Sequence, residues 1–99
     1  MILLQINFDF SASMMGDHLT EQAKPLAESI NLEEGFISKI WIENDQTSRS
    51  GGIYIFDTLA HAQAYAEMHL KRVEGMGAEN ISVEYFNVNE PLSKLNKGI

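Results

Sequence analysis

The sequence predicts an α+β fold of the ferredoxin-like type, β-α-β-β-α-β, with a four-stranded antiparallel sheet and both helices on one face. Three observations carry this reading. Segments rich in Ile, Val, Phe and Tyr alternate apolar with polar residues, two longer segments repeat apolar residues every three or four positions, and turn chemistry separates them in that order. Right-handed crossovers lead such a chain into one sheet.

The elements follow in turn. Residues 2–10 (ILLQINFDF) read as a strand with Leu4, Ile6, Phe8 and Phe10 on one face and Leu3, Gln5, Asn7 and Asp9 on the other. Residues 14–30 read as a helix on the stripe Met15, Leu19, Ala23, Leu26 and Ile30, with a kink or a break into two short helices expected at Pro25. Residues 36–43 (FISKIWIE) alternate as a second strand, with Phe36, Ser38, Ile40 and Ile42 opposite Ile37, Lys39, Trp41 and Glu43. The polar run from Asn44 to Ser50, then Gly51-Gly52, reads as a hairpin loop, and IYIF at 53–56 as the third strand. Asp57 or Thr58 is placed to cap a helix that runs to about Glu74 on Leu59, Ala62, Ala66, Leu70 and Val73 and stops at Gly75-Met76-Gly77. ISVEYFNV at 81–88 is the fourth strand, and Pro91 opens a short extension.

Length and composition limit the rest. Ninety-nine residues suit one domain spanning 1–99, and so small a chain buries only about 60–65% of its unfolded surface. Seven Lys and Arg against 14 Asp and Glu leave a net charge of −7, which gives no basic footprint for nucleic acid or an anionic membrane. Cysteine is absent, so no disulfide or thiolate chemistry is available. No apolar run reaches the length of a membrane span, and Met1-Ile2-Leu3-Leu4-Gln5 lacks the basic start of a signal peptide, so a cytoplasmic location is expected. One conflict points to a partner. A sheet with a free face should be polar there, yet both faces of these strands carry large apolar residues, which predicts a homodimer formed sheet to sheet.

Four stretches, QAKPLAESIN at 22–31, EGFISKIWIE at 34–43, GGIYIF at 51–56 and FNVNEPLSKLN at 86–96, resemble the YdhR-type monooxygenases of the dimeric α/β-barrel superfamily. The resemblance runs from the first strand almost to the C-terminus. It implies a pocket between helices and sheet in each subunit, and an activity that uses O₂ without metal or flavin. Relatives in the superfamily degrade haem with an Asn on the first strand, a Trp on the third and a His on the second helix. Asn7 has a suitable place, but the only tryptophan, Trp41, falls on the second strand.

The candidate residues each have a bland alternative. His61 and His69 are eight residues apart on one helix, about 12 Å along its axis, too far to share a metal, and His18 has no acidic partner at motif spacing. His69 lies at the edge of the apolar stripe beside Tyr65. It is either a proton acceptor near neutral pH or a core histidine bonded to backbone. Trp41 either walls a pocket for a flat ring or anchors the dimer. Asn7, polar on a buried strand, either steadies an oxyanion or bonds a neighbouring strand. Tyr54 joins Tyr65 and Trp41 as a candidate substrate contact, its alternative being a core aromatic. The catalytic candidates are therefore His69, Asn7 and Trp41. The expected function is a cofactor-independent monooxygenase acting on a small phenol- or quinol-like aromatic with O₂. The alternatives are a non-enzymatic small-molecule-binding dimer and an isomerase or lyase on the same fold.

Overall fold

A computed structural model describes residues 1–99. Four antiparallel strands, β1 (Ile2–Asp9), β2 (Phe36–Asn44), β3 (Arg49–Phe56) and β4 (Glu79–Asn87), form one sheet in the order β2-β3-β1-β4. Helices α1 (Asp17–Ile30) and α2 (Leu59–Gly75) connect β1 to β2 and β3 to β4, and a short α3 (Glu90–Leu95) follows. This is the ferredoxin-like β-α-β-β-α-β arrangement. No helix is long and apolar enough to cross a membrane.

The core lies on one face of the sheet. Ile2, Leu4 and Ile6 of β1 and Tyr54 and Phe56 of β3 are buried against Ile30 of α1 and Ala62, Tyr65 and Ala66 of α2. The two alanines let α2 approach the sheet closely, and α2 makes the nearer approach of the two helices. Thr58 caps α2, its side-chain oxygen accepting from the His61 backbone N–H at 3.2 Å. Asp57 instead bonds the His61 ring at 2.7 Å.

Five details depart from the sequence reading. Helix α1 continues through Pro25 as one helix of 14 residues, because a proline removes only its own ladder bond. A turn of 3-10 helix, Ala12–Met14, precedes it, and Gly16 N–H donates to both carboxylate oxygens of Glu43 at 3.2 Å, which ties the start of α1 to β2. Strand β3 begins at Arg49 rather than at residue 53, so Gly51 and Gly52 are strand residues; a side chain on Gly51 would run into the Ile6 carbonyl oxygen. In β2 the pairing shifts between Phe36 and Ser38, leaving Ile37 as an extra residue. That bulge turns Phe36 to the helix side, where its ring meets Phe56 edge-on at 5.9 Å. Finally, the extension at Pro91 is helical, capped by the Asn89 side chain on Leu92 N–H.

The face away from the helices carries Leu3, Ile40, Ile42, Ile53, Ile55 and Phe86, with Ile40 63% and Phe86 45% exposed.

Candidate active site

The strand register after the bulge brings the site together. Lys39 pairs with Tyr54 and Trp41 with Gly52, so Lys39, Trp41 and Tyr54 all project toward the helices. Gly52 makes this possible. A Cβ there would come within 2.9 Å of both Lys39 Cε and the Tyr54 ring. On α2, Tyr65 and His69 are one turn apart and stack, with ring centroids 5.0 Å apart and planes 20° from parallel. Tyr54 packs against both, at 5.3 Å from Tyr65 and 6.2 Å from His69. The Lys39 ammonium nitrogen sits 3.4 Å from the centroid of the Trp41 ring and 4.6 Å from that of Tyr54.

The charges in this cluster are all positive. Burial, reinforced by the nearby Arg72 charge, lowers the pKa of Lys39 to about 7. Burial, then the charges of Lys39 and Arg72, lowers that of His69 to about 3, so the ring is neutral. An Arg72 N–H donates to His69 Nδ1 at 3.1 Å. A guanidinium has no lone pair to offer, so Nδ1 accepts and the neutral ring carries its proton on Nε2. Burial also raises the Tyr54 and Tyr65 hydroxyl pKa values above the ordinary range, and both stay protonated.

Two spaces meet at this cluster. An inner cavity of about 30 Å³ is lined by Phe8, Lys39, Trp41, Tyr54 and His69, among others. That is room for at least one water-sized polar group. An outer cleft of about 350 Å³ runs between α1 and the edge strand β2, lined by Leu19, Ala23, Ala27, Trp41 and Glu43. Its volume lies in the range of small-molecule sites. Leu19 and Trp41 line both spaces and are the partition between them.

The family model described as "Putative mono-oxygenase ydhR" matches residues 3–99. This chain belongs to the ydhR family. Its fold is also that of a solved structure described as a putative antibiotic biosynthesis monooxygenase from Deinococcus radiodurans. The two are 13% identical, with a TM-score of 0.67 over 90% of this chain and 93% of the other. A comparison with curated proteins gives no match.

Within this ydhR-family chain, the structure brings four of the five residues singled out from sequence into one cluster. His69, Trp41 and Tyr54 line the inner cavity, and Tyr65 lies directly behind, stacked on His69. Trp41 is on the helix side of the sheet, not on the open face where a dimer anchor would stand. Asn7 is apart. It sits on the open face, paired with Gly51 and Ser82, and the sheet separates it from the cavity. His61 is remote as well, held by Asp57 and by Glu34 at 3.4 Å. No three His, Cys, Asp or Glu side chains are grouped to hold a metal ion. The residues that sequence reasoning passed over are Lys39 and Arg72. A lysine in an alternating strand reads as solvated; only its register opposite Tyr54, beside a glycine, reveals it as a cavity residue.

Proposed function

We propose that this chain is a monooxygenase that oxidises a small, electron-rich phenol or quinol with O₂ directly, in the space between α1 and the sheet. The observation that carries this reading is the Lys39 amine. It is enclosed by Trp41, Tyr54 and His69, with a pKa of about 7 that makes it a base at neutral pH. A ring in the outer cleft stacks on Trp41 and directs its hydroxyl into the inner cavity.

The chemistry follows from those groups. Lys39 takes the phenolic proton and, as an ammonium, holds the phenolate. His69 Nε2–H donates to the same oxygen, so His69 serves as a hydrogen-bond donor rather than as the base expected from sequence. The phenolate passes one electron to O₂, and the resulting radical pair joins at a ring carbon that bears hydrogen, ortho or para to the phenolate oxygen, to give a hydroperoxide. Loss of water from that carbon leaves a carbonyl. One oxygen atom enters the product quinone, the other leaves as water, and the substrate supplies every electron. Tyr54 and Trp41 wall the site, Tyr65 keeps the His69 ring in place, and Asn7 takes no part.

The open sheet face supports a homodimer, since a second copy would cover Ile40 and Phe86. The test of activity is O₂ consumption by the purified protein with a panel of phenols and hydroquinones. One O₂ consumed per quinone that carries one added oxygen atom, with no hydrogen peroxide released, is the expected result. Tight binding of the same compounds with no O₂ uptake would overturn the oxygenase and leave a binding protein.

A further inference from the structure

We infer that Lys39 is also a nucleophile, and that the inner cavity captures a small aldehyde as an imine on its amine. The aldehyde takes the place of the phenol and never sits beside it. The inference therefore needs the cavity and the amine, and does not need the oxygen chemistry.

Placement carries the argument. Lys24, Lys71, Lys94 and Lys97 are exposed, whereas Lys39 is half-buried and lines a mostly apolar cavity. It has no ion-pair partner. The only carboxylate of β2, Glu43, is four residues away, and both its oxygens are engaged by Gly16 N–H. The groups around the Lys39 amine are neutral or positive: the Trp41 and Tyr54 rings, the neutral His69 ring and the Arg72 guanidinium. A lysine desolvated by apolar walls and set near a second cation is the arrangement that turns an ammonium into a nucleophilic amine. Its pKa of about 7 agrees, because a large share of the amine is then neutral at physiological pH.

The step balances without a co-reactant. The nitrogen lone pair attacks the carbonyl carbon, and the C=O π pair moves to oxygen, which takes a proton given up by the nitrogen. The carbinolamine then loses its hydroxyl as water with the second nitrogen proton, leaving a C=N bond. One aldehyde is consumed and one water is released. The space suits an aldehyde, whose carbonyl carbon bears a single carbon substituent. The carbonyl end needs only the room of the inner cavity, and the outer cleft of about 350 Å³ takes the rest, with Trp41 bounding both.

Reductive trapping tests this. The protein is incubated at pH 7 with benzaldehyde and sodium cyanoborohydride, which fixes an imine as a stable secondary amine, and the adducts are located by peptide mapping. Lys39 should be modified at least about tenfold faster than any other lysine, because an ordinary lysine amine is almost wholly protonated at that pH. Mapping also keeps the N-terminal amine, which pairs with Glu90 at 3.7 Å, apart from Lys39. The preference should fade by about pH 10, where ordinary lysines deprotonate as well. It should vanish in urea, where Lys39 loses its surroundings. In Lys39→Met the fast adduct should be absent while slow labelling of the other lysines continues. Should that variant melt well below wild type, the urea comparison on wild type alone decides. Labelling of Lys39 at the rate of the exposed lysines, or a preference that survives in urea, overturns the inference. O₂ uptake with a phenol, recorded on unlabelled protein, is read separately. Fast trapping at Lys39 without O₂ uptake upholds the aldehyde site and overturns the oxygenase, whereas uptake without fast trapping does the reverse.

Discussion

Lys39 and His69 are both held away from their ordinary ionisation, and each leaves a mark on stability. The folded pKa of Lys39 is about 7 against an ordinary 10.5, so between those values the unfolded chain binds more protons than the folded one. Stability from this group therefore rises with pH from about 7 toward 10.5. His69 works in a lower window. Its folded pKa is about 3 against 6.5, so stability falls as the pH drops from 6.5 toward 3, where only the unfolded chain takes up the proton. Urea denaturation at pH 7 and pH 9 should show wild type gaining stability, and Lys39→Met should lose that gain. A direct reading comes from NMR of lysine labelled with ¹³C at Cε, in which one resonance should titrate near pH 7 and the remainder near the ordinary lysine value. No resonance moving near neutrality would remove Lys39 as a base.

At the scale of elements, the site depends on two departures from regular strand geometry. The bulge at Ile37 lets Phe36 stay in the core while Lys39 and Trp41 also face the helices. Gly52 provides the space that the Lys39 stem and the Tyr54 ring occupy. Gly52→Ala should force both aside, lowering the melting temperature and returning the Lys39 pKa toward its ordinary value as the amine is displaced toward solvent. An alanine variant with unchanged melting and an unchanged lysine titration would show that the close approach is unimportant. The stripes of α1 and α2 were legible in sequence because a period of 3.6 is a strong signal, and the Thr58 cap was among the readings. The start of β3 was not, since a glycine pair has the chemistry of a turn, and only the nearness of the Ile6 carbonyl explains it within a strand. The bulge was hidden for a similar reason: strict alternation over FISKIWIE contains no mark of an extra residue. That His69, Trp41, Tyr54 and Tyr65 lie near one another was legible from helical angle and aromatic character, whereas Asn7 stands on the opposite face of the sheet, where the alternation along β1 puts it.

At the scale of the molecule, one face of the sheet is covered by helices and the other shows Ile40 and Phe86 to solvent. A second copy stacked on that face would bury on the order of 1,200 Å² or more in total. Light scattering at micromolar concentration should give twice the 11.1 kDa chain mass, and Ile40→Glu with Phe86→Glu should return it to the monomer. A monomeric wild type would contradict the dimer. The helix-covered side carries the account's central claim, that Lys39 is the base of an oxygenase site. The most direct test is the pH dependence of O₂ consumption with an active phenol, in wild type and in Lys39→Met. Wild-type kcat/KM should rise through a pKa near 7 to a plateau, provided the phenol itself titrates well above that range, because the neutral amine is the active form. The methionine variant should be slower by about 10²–10⁴-fold at that plateau, with the inflection gone. A folded Lys39→Met protein that keeps both the wild-type rate and the inflection would contradict the claim.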